Sequence, residues 1–253
     1  MIAKGNGDFY FPRMSIKFTL LAAAVLALAP FTHAQEAPLV PALKPEVHKG
    51  TERRIEQFNA ISKQGTAELV FLGDSITQGW ENAGKATWAK FYANRKAANF
   101  GISGDRTEHV LWRMDNGNFD GLKPKLVVLM IGTNNTGHRK DKPEDTAAGV
   151  KAIIAKIHAK SPDTKVLLLA IFPRDEKPEG AGRQLNDKIN AILKTFADDK
   201  KIFWQDIGAK FLGPDGVMSK EVMKDFLHPG PSGYDIWAEA IEENVAKLLG
   251  EKK

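Results

Sequence analysis

Three residues have the types that covalent chemistry needs: Ser75, Asp225 and His228. A serine hydroxyl becomes a nucleophile when a base takes its proton, and an imidazole serves as that base when a carboxylate fixes its tautomer. Asp225 and His228 stand three apart in Asp225-Phe226-Leu227-His228-Pro229, so one turn can aim both side chains the same way. Gly104 and Asn134 supply what acyl transfer needs next, which is hydrogen-bond donors where negative charge develops. A glycine lets its backbone N–H approach closely, and an asparagine amide adds a second donor. With the Ser75 N–H, these residues make a candidate three-donor oxyanion hole. Each also has a plainer role when taken alone. Asn134 and Gly104 suit turns, Asp225 suits a helix cap, and Ser75 suits a turn.

Those residues sit where strands should end. Leu69-Val70-Phe71-Leu72-Gly73 reads as a buried strand running out into Asp74-Ser75, with Gly79 closing the segment. Residues 97–102 form a second short strand ending at Gly104. Residues 126–131 form an uninterrupted apolar strand that ends in Gly132-Thr133-Asn134-Asn135. Further strands are expected over 165–171 and 201–207. Helices are expected over 51–63, 85–94, 107–115, 143–160, 182–197 and 232–249, the fifth strand–helix unit closing the chain. This alternation predicts one three-layer α/β domain over 51–250 with a mainly parallel sheet. In such sheets ligands bind beyond the carboxyl ends of the strands, so the polar ends share one rim.

Gly73-Asp74-Ser75, the Gly101-Ile102-Ser103-Gly104-Asp105 run, Gly132-Thr133-Asn134 and Asp225-x-x-His228-Pro229 resemble, in order, the four blocks of the SGNH (GDSL-type) hydrolase superfamily. His109-Val110-Leu111-Trp112-Arg113 brings the resemblance closer to the platelet-activating-factor acetylhydrolase catalytic α subunits and their bacterial relatives. It spans about residues 68–249. The resemblance implies an αβα sandwich, a flavodoxin-like five-stranded parallel sheet of order 2-1-3-4-5. It also implies Ser/His/Asp hydrolysis of small acyl esters without a cofactor, and it alone suggests a homodimer. Ile76 replaces the Leu of the family name, and Ser103 stands where the mammalian subunits resemble Gly-Gly.

The expected activity is a serine esterase that removes short acyl groups, acetyl foremost, from small-molecule or carbohydrate esters. A lipid acetyl-ester hydrolase, or a binding module that kept the fold without turnover, are the alternatives. Asp74, His138 and Arg174 are candidates for touching substrate. Trp80 and Trp237 read as packed side chains, and His109 as a structural one. A flavin-phosphate cradle at residues 75–79 would leave Asn134 and the Asp225/His228 pair without a role. Neither G-x-G-x-x-G nor G-K-[ST] follows a strand, and Thr77 stands where a G-x-S-x-G elbow needs its last Gly. His109, His138 and His158 lack ligand spacing with carboxylates, so no metal is expected.

The chain has 253 residues, 43% of them hydrophobic, a formal net charge of +5 and no cysteine. That supports one well-filled core without disulfides. The basic residues form no stripe interleaved with aromatics, which argues against nucleic-acid binding. Residues 1–34 read as a secretory signal: a start at Met14, Lys17, an apolar run from Phe18 to Pro30, and small residues up to a cleavage point near Ala34. The run is short for a bilayer span, so export to the periplasm or medium without a membrane anchor is expected. Residues 35–50, carrying Pro38, Pro41 and Pro45, read as an extended, poorly structured lead-in.

Overall fold

The computed structural model describes residues 40–251 and, before them, Met1, Ile2 and Tyr10. The expected signal run, its start at Met14 and the Ala34–Gln35 junction lie outside the described residues. Among the described residues no helix is long and apolar enough to cross a membrane.

Five strands form the frame: β1 (Leu69–Gly73), β2 (Ala97–Gly101), β3 (Leu126–Met130), β4 (Lys165–Leu169) and β5 (Ile202–Gln205). All pairings are parallel and the order is β2-β1-β3-β4-β5. The helices are α1 (Glu52–Gln64), the four-residue α2 (Ser75–Gln78), α3 (Lys85–Phe91), α4 (Thr107–Asp115), α5 (Pro143–Lys160), α6 (Ala181–Leu193) and α7 (Pro231–Leu249). Pro143 and Pro231 sit in the first turns of α5 and α7, where a missing N–H costs nothing.

Strand alternation divides the core. Val70, Leu72, Val127, Leu129, Val166 and Leu168 face α1, α4, α5 and α6. Leu69, Phe71, Leu126, Val128, Leu167 and Leu169 face α7, with Trp80 and Trp237 on that side. Every residue of β1 and β3 is buried, as central strands of a covered parallel sheet must be. That double burial is what leaves their carboxyl ends as the place where polar groups can emerge.

The lead-in is held more firmly than its prolines predict. Pro41–Leu43 forms a short 3-10 turn that buries Ala42. The Ala42 carbonyl accepts from Thr107 Oγ1 at 3.0 Å, and Glu46 N–H donates to the Glu108 carbonyl at 3.2 Å. From Val40 onward this segment is therefore extended but docked on α4, because its backbone groups find partners there.

Candidate active site

Ser75 begins α2 directly after β1. Gly73 is required just before it, since a Cβ there would lie 2.2 Å from Thr77 Oγ1 and 2.4 Å from the Met130 carbonyl. Asp74 caps the turn, accepting the Ile76 N–H at 3.0 Å. From α7, Tyr234 donates its hydroxyl to the Ile76 carbonyl at 2.7 Å and pins the turn from the other side. Ser75 is half-buried while Asp74, Ile76 and Thr77 around it are buried, so the turn presents the one hydroxyl.

Ser75 Oγ lies 2.9 Å from His228 Nε2. His228 Nδ1 lies 2.7 Å from Asp225 Oδ2, with the carboxylate as acceptor and Nδ1–H as donor. That tautomer leaves Nε2 free to accept the serine proton. The other Asp225 oxygen accepts the N–H groups of Leu227 at 3.1 Å and His228 at 2.7 Å. Burial pushes the Asp225 carboxyl up, but the bonds from His228 and these backbone groups outweigh it and hold the carboxyl below its usual range. Phe226 between them adopts φ 59°, a left-handed conformation unusual for a bulky residue. Its carbonyl accepts Asp175 N–H at 3.0 Å, which ties the loop to the segment that follows β4.

The other candidates occupy the neighbouring strand ends. The register pairs Gly73 with Gly101 on one side and with Met130 on the other, so the loops carrying Gly104 and Asn134 flank the Ser75 turn. Gly104 sits at φ +80°, the left-handed region that favours glycine. Asn134 is buried and donates from Nδ2 to the Asp105 carbonyl at 2.9 Å, which leaves its second amide hydrogen unspent. Among the described residues, the backbone N–H groups of Ser75 and Gly104 have no hydrogen-bond acceptor. Three donors thus stand at one rim.

Asp105 organises this half. Its carboxylate bonds Arg113 Nε at 3.0 Å through one oxygen and His48 Nδ1 at 2.8 Å through the other. Arg113, itself buried, also donates to the Phe100 carbonyl at 2.7 Å and to Asn118 Oδ1 at 2.9 Å. Neither Asp105 nor Arg113 was a candidate from sequence. The signal available was a charge on the otherwise apolar face of α4 beside Val110 and Met114.

The substrate candidates separate. Asp74 does not open to the site: it is 1% exposed, its carboxylate serves the backbone of the turn, and burial pushes it up to about 7. That corrects its expected contact with substrate, because capping takes the side chain inward. Arg174, in the segment after β4, reaches the segment after β3 and donates to the Thr133 carbonyl at 3.1 Å, so its guanidinium braces the Asn134 turn. His138 is exposed on the π-type turn Asn135–Arg139. Trp80 and Trp237 are buried, as expected. His109 is buried too, and burial pushes it down to about 4.

His48, Asp105 and His109 bring their donor atoms within 4.8 Å of one another, the spacing of a cation site. The donor set does not suit a metal. Asp105 is already bonded to a guanidinium, and His109 receives the Arg106 backbone N–H at Nδ1 (3.1 Å) with Arg106 Nη2 3.1 Å from Nε2. A cavity of about 900 Å³ opens along the outer edge of β2, lined by Phe58, Ile61, Trp80 and Trp88. None of Ser75, Asn134 or His228 borders it.

Comparison with known proteins places the chain in a family. The profile of the GDSL-like Lipase/Acylhydrolase family matches residues 71–236. The chain belongs to that family. It is 35% identical over 207 residues to platelet-activating factor acetylhydrolase IB subunit alpha2 of Rattus norvegicus, covering 80% of this chain and 88% of the relative. A GDSL-like lipase from Bacteroides thetaiotaomicron superposes with TM-score 0.65 at 24% identity, over 78% of this chain and 98% of that one. An acetylxylan esterase from Geobacillus stearothermophilus superposes with TM-score 0.56 at 20% identity, over 75% and 97% of the two chains. This GDSL-family protein is a carboxylic ester hydrolase with the α/β fold of its family.

Proposed function

We propose that this hydrolase is a serine esterase acting on short acyl esters, acetyl foremost, through Ser75, His228 and Asp225. The single observation that carries the reading is the unbroken path from Ser75 Oγ to His228 Nε2 at 2.9 Å and from His228 Nδ1 to Asp225 at 2.7 Å. His228 takes the hydroxyl proton as Oγ bonds to the ester carbonyl carbon. The carbonyl oxygen becomes an oxyanion, held by the N–H groups of Ser75 and Gly104 and the spare Asn134 amide hydrogen. The C–O bond to the alcohol breaks, and the imidazolium returns its proton to the leaving alcohol. Water then adds to the acyl-Ser75, giving its proton to His228. Collapse releases the carboxylic acid and restores the serine.

The curated relative is named for acetyl-ester hydrolysis, which supports acetyl as the acyl group. On the alcohol side we favour carbohydrate, in keeping with an exported protein. A lipid alcohol is the second reading, favoured by the relative's name. Ser75→Ala assayed with p-nitrophenyl acetate tests the mechanism: turnover should fall about 10⁴-fold or more with the fold intact. Substantial residual turnover would remove Ser75 from the nucleophile role. Acetate release from acetylated sugars, acetylxylan and acetyl phospholipids then identifies the alcohol.

A further inference from the structure

The imidazole of His48 belongs to a segment that precedes the family-matched region, yet it reaches the donor side of the site. Its Nδ1 bonds Asp105 Oδ1 at 2.8 Å across 57 residues of sequence. Its ring lies flat on His109, with centroids 4.4 Å apart and planes 19° from parallel. Its Cε1 comes within 3.2 Å of where a Cβ on Gly104 would be, so the ring walls the left-handed Gly104 on its open side. Asp105 is 0% exposed and already takes one bond from Arg113, so His48 satisfies the carboxylate's second oxygen. The same residue's carbonyl holds Asn134 Nδ2 at 2.9 Å.

We propose that His48 is a positioning residue for ester hydrolysis, fixing the Gly104–Asp105 loop and, through the Asp105 backbone, the Asn134 amide. The proposal rests on the oxyanion reading of Gly104 and Asn134. His48 itself touches neither Ser75 nor the reacting atoms. Its physical effect is on geometry: donors that stabilise a transition state act by being held before the charge appears, and a displacement of about 1 Å can cost on the order of 100-fold in rate. Docking of residues 40–48 on α4, through Ala42 and Glu46, brings the imidazole into place.

Two substitutions separate the bond from the stack. His48→Asn keeps an N–H donor near the Nδ1 position and loses the ring. His48→Phe keeps a flat ring over His109 and loses the donor. With p-nitrophenyl acetate, H48F should lower kcat about 10-fold or more with KM within about twofold, because donors to a developing charge act on the transition state. H48N should stay within about threefold of the parent. Combined with Asn134→Ala, H48F should cost less than its effect in the parent, because one of the two donors it positions is gone. Should H48F not yield folded protein, H48A carries the same measurements.

The proposal is overturned if H48F, folded, leaves kcat within twofold, if H48N loses as much as H48F, if the loss is confined to KM, or if the losses of H48F and N134A simply multiply. Ser75→Ala in the same assay distinguishes the failures. An inactive Ser75→Ala beside an unaffected H48F sinks only the role of His48, whereas an active Ser75→Ala sinks the esterase mechanism beneath it.

Discussion

Asp105 and Asp225 both hold a histidine through Nδ1, yet the surroundings of the two carboxylates are opposite. Asp105 is fully buried, and its partners come from the lead-in and from α4. Asp225 has a side chain 48% exposed, and it bonds its own loop neighbours, Leu227 and His228. The Gly104–Asn134 half of the site is thus cross-linked through the core, while the Asp225–His228 half is a surface loop with a left-handed Phe226 and a tether to Asp175. The contrast fits the two tasks proposed for these halves. Oxyanion donors work by not moving when charge develops. A base must accept a proton from the serine, deliver it to the alcohol, and then meet water, so it needs access to solvent.

That difference should divide the effects of mutation. Asp225→Ala should lower kcat about 10⁴-fold, as the loss of a triad carboxylate does elsewhere, and leave the melting temperature nearly unchanged because the side chain is exposed. A melting temperature that fell steeply would break the contrast. Asn134→Ala should cost about 10²–10³ in kcat, the usual effect of losing one oxyanion donor. Its KM for a small acetyl ester should change little.

Arg113→Met reverses the pattern. Removing the guanidinium strands a buried carboxylate, which typically costs about 3–5 kcal/mol of stability. Urea unfolding should therefore show a much lower midpoint for Arg113→Met than for Asp225→Ala, and equal midpoints would refute the division.

The smallest effect concerns Asp74. Its folded-state carboxyl is raised to about 7 by burial, with Asp105 adding to the rise. A raised acid contributes stability that is present below its unfolded value, near 3.8, and lost as pH climbs through about 7. Thermal melts between pH 4 and pH 8 should show the parent losing several degrees relative to Asp74→Asn, which keeps the acceptor for Ile76 N–H and carries no charge. Parallel pH profiles would contradict the burial effect.

The frame was legible because the strands are buried on both faces. Leu69–Leu72 and Leu126–Met130 are continuous apolar runs, and each ends abruptly in polar residues. The contact between Asp225 and His228 was legible because they lie within one turn of each other. What sequence left hidden depends on single pairings over long distances. Nothing near His48 indicates Asp105, since lone polar contacts have no period to detect. Prolines at 41 and 45 made the lead-in read as loose, whereas its backbone is satisfied by α4. Asp74 was misread for a different reason: an acid beside a nucleophile looks like a ligand-binding group until the unfilled N–H at the start of α2 claims it.

Whether Ser75 Oγ forms the bond to the acyl carbon is tested most directly by covalent trapping. Treatment with a fluorophosphonate followed by peptide mass mapping should place a single adduct on Ser75, with loss of esterase activity in step with labelling. His228→Ala should label far more slowly. Activity lost with the adduct on another residue, or a fully modified Ser75 with turnover intact, would contradict the account.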